Sequence, residues 1–316
     1  MVALLTGKST FDKQSMGFYG DSLARRQARK SSALRFSDLF HLVLTGVCLT
    51  GLFIQTGCTS VPLTYTGSVS SYERLGPERG HFARSRTFAD PAFLQQVRSV
   101  NIVPTIVSPA ASAQVSDAND VKLVSNFIDR SLCNAMSGRF AIVMPGEPAD
   151  LTVQATVTNI VKTEKAVAGF SKAVSLGTSA FLPVGVPRLP VGLGGLAVEA
   201  EAVDAGGKQR AAMVWSKGAN VITTSARVSE VGDAYGVAGR FGKDFADLLA
   251  EDRPGHHPLL QMPSNDGIRT ALGGKPKYAS CERFGRATGV NGFVADLLGT
   301  PPSWVDKGAN NTANTF

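Results

Sequence analysis

The chain has 316 residues, 43% hydrophobic and 18% charged, with 32 Lys/Arg against 25 Asp/Glu and a formal net charge of +7. Residues 1–57 hold 7 of those bases and 3 of those acids, so the remainder carries 25 and 22, a net of +3. That balance, on a chain long enough for one domain with extensions, gives no electrostatic footprint for nucleic acid, and four cysteines without C-x-x-C or H-x-x-x-H spacing offer no metal site.

Asp38 is the last charged residue before Glu73, and between them lies LFHLVLTGVCLTGLFIQTGC, residues 39–58. Arg25, Arg26, Arg29, Lys30 and Arg35 precede it. A basic flank, an apolar middle and small residues at its end form the layout of a secretory signal. The apolar centre, residues 42–54, has the length of a signal core and falls short of the roughly 20 residues of a full span. Gly57-Cys58 reads as a lipobox, despite Gln55 where an apolar residue is usual. On that reading residues 1–57, beginning at Met1 or Met16, are a removable signal peptide and Cys58 carries the lipid, palmitate included. The alternative is an uncleaved N-terminal anchor. Either places the rest of the chain outside the cytoplasm. Thr59 is not the Asp that signals inner-membrane retention, so an outer-membrane location facing the periplasm is expected. Cys48 belongs to the leader, which leaves Cys133 and Cys281. In an oxidising compartment a disulfide between them is the default, against two separate buried thiols.

Downstream of Cys58, residues 59–71 are rich in Ser, Thr and Gly and read as a tether. Tyr72, Leu75, Phe82 and Phe88 lack periodicity, so residues 58–97 are expected to be lipid anchor, tether and irregular arm. Residues 99–107 predict a strand that Pro104 assigns to an edge or a bulge. Val121, Val124, Ile128, Leu132 and Ala135 recur at helical spacing, with Asn119 or Asp120 as cap and Gly138 as a left-handed stop. RFAIVM is a short strand. In DLTVQATVTNIV, Leu151, Val153, Ala155 and Val157 alternate with polar residues, as on a half-buried strand. Residues 195–216 predict a hairpin turning at Ala205-Gly206-Gly207, its return arm running from Ala211 to Trp215 and extending toward Ile222. A second helix follows from Ser229 or Glu230, with Ala234, Ala238, Phe241, Phe245 and Leu248 as its stripe; its glycines suit close approach to a sheet. Residues 253–316 have few periodic apolar positions; Phe293, Leu297 and Leu298 form the best short helix there, and Trp304 follows a Pro-Pro stop. This extension is expected to lie along the main domain, residues 98–252, tied to it by the Cys133–Cys281 bond, or by packing of Phe293 and Trp304 alone if those thiols are free.

The fold expected is therefore α+β, a mostly antiparallel sheet with two helices on one face, plus an irregular N-terminal arm and a C-terminal extension. Candidate chemistry is sparse. His256-His257 presents two adjacent rings poorly suited to one ion. Glu199, Glu201 and Asp204 share a hairpin and form an acidic cluster suited to acid/base work, or simply the solvated face of the sheet. VGLGG lacks the Lys-Ser/Thr of a phosphate loop, and no G-x-S-x-G elbow occurs. No catalytic residue, metal or cofactor is assigned. Residues 169–195 are apolar and rich in Gly and Pro, with only Lys172 and Arg188 charged; Phe181, Leu182, Val184 and Val186 in this segment are the candidates for partner contact, against a lid folded back on the sheet.

Four stretches carry a resemblance: SYERL soon after Cys58, PGEPADLTVQATVTNIV, RLPVGLGGLAVEAEAVDAGG and GFVADLLGTPPSWVDKG. Together, over roughly residues 72–308, they resemble domain of unknown function 3313, a family of proteobacterial lipoproteins, with VGLGGLAVEAE and LGTPPSWVDKG the most specific blocks. The resemblance implies a lipoprotein and brings no activity, cofactor or site residues. The function expected is a non-catalytic, lipid-anchored structural or assembly subunit with a protein partner in the cell envelope. The alternatives are an envelope glycan or lipid enzyme using the acidic face, and a small-ligand binding module with residues 169–195 as lid.

Overall fold

The computed structural model describes residues 60–179, 188–250 and 265–309. Among them seven strands form one sheet: β1 (Ala83–Ala89), β2 (Ser99–Ile102), β3 (Ile106–Val107), β4 (Ala141–Ile142), β5 (Leu151–Val161), β6 (Gly195–Asp204) and β7 (Gln209–Gly218). Their order is β1-β7-β6-β5-β2-β4, with β3 also paired to β5. Seven helices accompany them: α1 (Pro91–Leu94), α2 (Pro109–Ser112), α3 (Ala118–Ser137), α4 (Lys165–Ser179), α5 (Gly232–Ala250), α6 (Asn265–Ala271) and α7 (Gly289–Leu298). The class is α+β as expected, but the sheet is mixed and the two long helices have company. β1, β7, β6 and β5 pair antiparallel, whereas β2 and β3 run parallel to β5, and β4 parallel to β2. The cause is α3: its 20 residues carry the chain back across the sheet, so β4 restarts in the direction of β2.

Alternation decides which face of the sheet meets the helices. Leu151, Val153, Ala155 and Val157 on β5, Leu196, Val198, Ala200 and Ala202 on β6, and Ala211, Met213 and Trp215 on β7 are all buried in one core. Against them lie Val121, Val124, Ile128 and Leu132 of α3 and Ala234, Ala238, Phe241, Phe245 and Leu248 of α5. Trp215 meets Phe241 edge to face, their ring centroids 5.5 Å apart. Burying each such large side chain contributes roughly 1.5–3 kcal/mol. The glycine that permits close approach on α5 faces α3 rather than the sheet: a Cβ on Gly242 would lie 2.7 Å from the Ser131 carbonyl carbon and 2.8 Å from the Leu132 nitrogen. α3 starts two to three residues earlier than expected, because the Asp117 carboxylate accepts from Asn119 N, and Gly138 ends it at φ −75°, without the left-handed turn.

The arm is more ordered than its aperiodic sequence suggests. Residues 83–89 form β1, which covers the edge of β7 from Ala83–Lys217 to Ala89–Ala211. Asp90 then caps α1, whose first residue is Pro91. The return arm of the hairpin ends at Gly218 and does not reach Ile222.

Pro104 breaks the first strand in two. β2 has neighbours on both sides, so it is not an edge strand, and β3 resumes alongside β5 at Ile106–Thr156. Pro104 has no N–H for the ladder, and Thr105 turns away. Its N–H (2.8 Å) and hydroxyl (2.5 Å) both donate to Asp129 Oδ1 of α3. Asp129 is buried, and desolvation pushes its carboxyl up to about 7 against the opposing hydrogen bonds from Thr105 and the Arg283 charge.

The C-terminal extension lies along α3. A disulfide joins Cys133 to Cys281 with Cα atoms 5.8 Å apart. Asp306 accepts from Arg130 Nη2 (2.5 Å) and from the Tyr235 hydroxyl (2.5 Å), all three side chains being buried, and Tyr235 stacks on Phe127 with centroids 4.4 Å apart. The helix expected near Phe293 is α7, but it presents the other face inward. Gly292 and Ala295 are buried, while Phe293, Leu297, Leu298 and Trp304 are exposed. The extension is fastened by the expected covalent bond and by the Arg130–Asp306 ion pair, not by the packing of Phe293 and Trp304 that free thiols would require.

Asp129 makes a pH prediction. Its folded pKa lies above its unfolded value of 3.8, so its contribution to stability is complete below about pH 4 and is lost as pH rises toward 7. Asp129→Asn keeps an acceptor for Thr105 and removes the titration. Between pH 4 and 8 the difference in unfolding free energy between variant and parent should therefore move in the variant's favour by on the order of 3 kcal/mol. Urea unfolding at both pH values measures it; a constant difference would refute the assignment.

Candidate functional site

The most constrained polar site lies on the face of the sheet away from the helices. Glu199 and Glu201 project there from β6, two residues apart and hence on the same side. A solvated acidic face was the expectation; instead Glu199 is 0% and Glu201 1% exposed. What covers them is the segment expected to be a tether. Residues 60–76 cross β6 and β7 as a strap, held by hydroxyl and amide donors.

The strap's polar residues recur at the spacing of the carboxylates. The Thr66 hydroxyl donates to Glu199 Oε2 at 2.7 Å and the Ser68 hydroxyl to the same oxygen at 2.6 Å. The amides of Thr66 and Ser68 approach it at 3.3 and 3.4 Å. The Tyr72 hydroxyl donates to Glu199 Oε1 at 2.7 Å and accepts from Gly67 N at 2.8 Å. Ser70 grips Glu201 with its amide (2.7 Å) and hydroxyl (2.9 Å). Gln154 Nε2 and Gln209 Nε2 each donate to Glu201 at 2.8 Å from the neighbouring strands. A carboxylate only accepts, and here it is met by donors throughout; that is the condition under which burying it is tolerable. Burial, followed by the hydrogen bond to Glu199 and its charge, pushes the Tyr72 hydroxyl up to about 12, which keeps it a donor at any physiological pH.

Apolar and cationic contacts complete the strap. Leu75, Ala212 and Val214 form a second small core, with Leu63, Tyr72 and Phe88 packed on it. Val61 is 1% exposed, and its carbonyl accepts from the Ser216 hydroxyl at 2.7 Å. A Cβ on Gly195 would come within 2.5 Å of Val61 Cγ2, so glycine is needed where the strap crosses the start of β6. Arg86 of β1 donates to the carbonyls of Leu75 (3.0 Å) and Gly76 (2.9 Å). Asp204, the third acid of the cluster, is not part of the strap. It shapes the hairpin turn by accepting from Gly206 N and Lys208 N, both at 2.9 Å, and pairs with Arg210 at 2.7 Å; the Lys208 amide, then Arg210, hold its carboxyl below the usual range.

Several residues singled out in the sequence fall elsewhere. Cys58, His256, His257 and the contact candidates Phe181, Leu182, Val184 and Val186 lie outside the described residues. The first part of the expected loop, residues 169–179, is helical, the end of α4 (Lys165–Ser179). Arg188, the next described residue, is buried and clamped to Asp233 of α5 by both Nη atoms. Asp233 also accepts from Gly194 N at 2.7 Å. Two cavities, of about 720 and 630 Å³, are lined by other groups: Arg283, Arg286, Asp306 and Lys307 in one, Phe127, Arg139 and Lys243 in the other. Among the described residues no cluster of three His, Cys, Asp or Glu side chains is placed to hold a metal, and no helix is long and apolar enough to cross a membrane.

Residues 64–245 match the model of a family described as Protein of unknown function (DUF3313). No curated protein matches the chain. Among solved structures, a point variant of the PelC dodecamer from Paraburkholderia phytofirmans is 10% identical, with 53% of this chain and 96% of that one covered at a TM-score of 0.33. The PelC dodecamer itself from the same organism is 9% identical at the same coverages and TM-score.

Glu199→Gln turns an amide NH2 toward the donors of the strap. It should lower the unfolding free energy by about 2–4 kcal/mol and expose residues 60–76 to protease. Glu73→Gln, at an exposed position, should stay within about 0.5 kcal/mol of the parent. Equal effects of the two substitutions in denaturant melts would show that Glu199 fastens nothing.

Proposed function

This chain belongs to the DUF3313 family of proteins of unknown function, and we propose that it is a lipid-anchored envelope protein, a non-catalytic structural or assembly subunit held at the outer membrane through Cys58 and facing the periplasm. The sequence supports the anchor by its basic flank, charge-free run and Gly57-Cys58. The observation that carries the reading is the seating of the strap. The chain just after Cys58 is not a leash. From Val61 to Gly76 it is an integral layer of the fold, tied down by two buried carboxylates. A domain that builds its own N-terminal mount in this way presents its remaining surface in a fixed orientation, which suits a subunit of a larger assembly. Glu199 and Glu201, the pair on which an acid/base enzyme would draw, are engaged in that mount.

A protein partner in the envelope belongs to the same proposal, with Phe181, Leu182, Val184 and Val186 as its contact candidates on the strength of their composition. Their neighbour Arg188 is a fixed post, through its pairing with Asp233.

Intact-mass analysis of protein extracted from native membranes tests the anchor. The mature chain should begin at Cys58 with added acyl mass, and Cys58→Ser should move the protein from the membrane to the soluble fraction. A mature chain that retains residues 39–57 would overturn the lipoprotein reading.

A further inference from the structure

Where the strap begins fixes which end of the domain lies nearest the anchor. Ser60, the first described residue, lines a small cavity with His81, Phe82 and Asn220. Its neighbour Val61 is locked to β7 by the Ser216 hydroxyl. This is the pole at which β1 begins, β7 ends and β6 starts: Ala83 pairs with Lys217, and Gly195 with Gly218. Two residues upstream of Ser60 is Cys58, and two residues of extended chain reach no more than about 7 Å. An acylated Cys58 therefore leaves no linker between lipid and domain.

The same pole carries exposed apolar side chains. Phe82 is 68% exposed, Ile222 84% and Val191 53%. Asn220 holds the turn that displays Ile222, its Oδ1 accepting from the Ile222 amide at 3.0 Å. Arg188 N donates to Val221 O at 3.1 Å, so the segment leading to Val191 runs beside that turn. His81 and Lys162 are exposed at this end of the sheet, where such side chains can reach headgroups while their neighbours enter apolar surroundings. Aromatic and aliphatic side chains beside basic ones are the composition of an interfacial surface.

We propose that this pole rests on the bilayer, with Phe82 and Ile222 entering its headgroup boundary; the proposal rests on lipidation at Cys58. The lipid then supplies the hold and the pole sets the orientation, standing β6 and β7 away from the membrane. The hairpin turn at Ala205-Gly206-Gly207 lies at the far end of β6, ten residues away, or about 30 Å.

The test uses the full acylated chain with an NBD fluorophore at Phe82→Cys, Ile222→Cys or, as the distal control, Ala205→Cys, all exposed positions. Each is bound to vesicles of phosphatidylethanolamine and phosphatidylglycerol, with or without lipid bearing a nitroxide in the headgroup. Intact mass of the same samples reports the acyl group. The expected result is quenching at positions 82 and 222 on the order of twofold or more, as for side chains about 5–10 Å into the headgroup boundary, and none at 205. Acylated protein that floats with the vesicles but is quenched no more at 82 and 222 than at 205 overturns the pole contact and leaves the anchor standing. Blue-shifted emission at 82 and 222 that the nitroxide does not touch assigns the pole to a protein contact instead, and also overturns it. Absence of acyl mass on Cys58 removes the anchor and the proposal together.

Discussion

Two carboxylates buried on one strand are the constraint around which the outer half of this domain is arranged. A buried carboxylate without donors costs several kcal/mol, so Glu199 and Glu201 can occupy the outer face of β6 only if something brings donors to them. β5 and β7 bring Gln154 and Gln209 to Glu201; for Glu199 the donors are Thr66, Ser68 and Tyr72 of the strap. Folding of the sheet and seating of the strap are thereby one event. The sheet without the strap would leave charges beside the apolar patch of Ala212 and Val214, and the strap's apolar residues Leu63, Tyr72 and Leu75 have their packing partners on the sheet.

The helical side of the sheet follows a different logic. There Trp215, Phe241, Phe245 and their neighbours exclude water, and polar groups are admitted only as fasteners at the rim. Asp129 collects the donors released by Pro104. Asp233 clamps Arg188 to the start of α5, and Asp306 ties the C-terminal extension to Arg130 and Tyr235. Each of these carboxylates joins segments distant in sequence, Asp233 and Asp306 as ion pairs and Asp129 through hydrogen bonds from Thr105, as burial in a region of low dielectric requires. The Cys133–Cys281 bond secures the same extension covalently. Closing a loop of 148 residues contributes roughly 4–5 kcal/mol in the chain-entropy model.

What the sequence revealed and what it hid divide along physical lines. The core face was legible because period-two alternation in residues 151–157 and 196–202, and the helical stripes through Val121 and Phe241, are dictated by elements that bury one side. The parallel pairing of β2 with β5 was not, since it depends on where a crossover helix returns the chain. β1 was missed because its edge position is held by main-chain pairing with β7 and by Arg86, not by an apolar pattern. The strap was missed because hydroxyls are read as solvent-loving. Its signal was present all the same: Thr66, Ser68 and Ser70 repeat with the period of Glu199 and Glu201, a polar alternation that matches another polar alternation. Which face of α7 turns inward was not legible, because its large apolar residues lie exposed while the small residues Gly292 and Ala295 make the contact.

The strap is also the link between the fold and the proposed function, since a mount of buried hydrogen bonds transmits orientation and a hydrated tether does not. Amide hydrogen exchange in the full chain near neutral pH examines that link directly. Slow exchange at Thr66, Ser68 and Ser70, protected to an extent comparable with the amides of β6, is the result expected of an integral layer. Exchange of those three amides at the rate of an unstructured chain, while β6 and β7 remain protected, would contradict it and return residues 60–76 to the role of a tether.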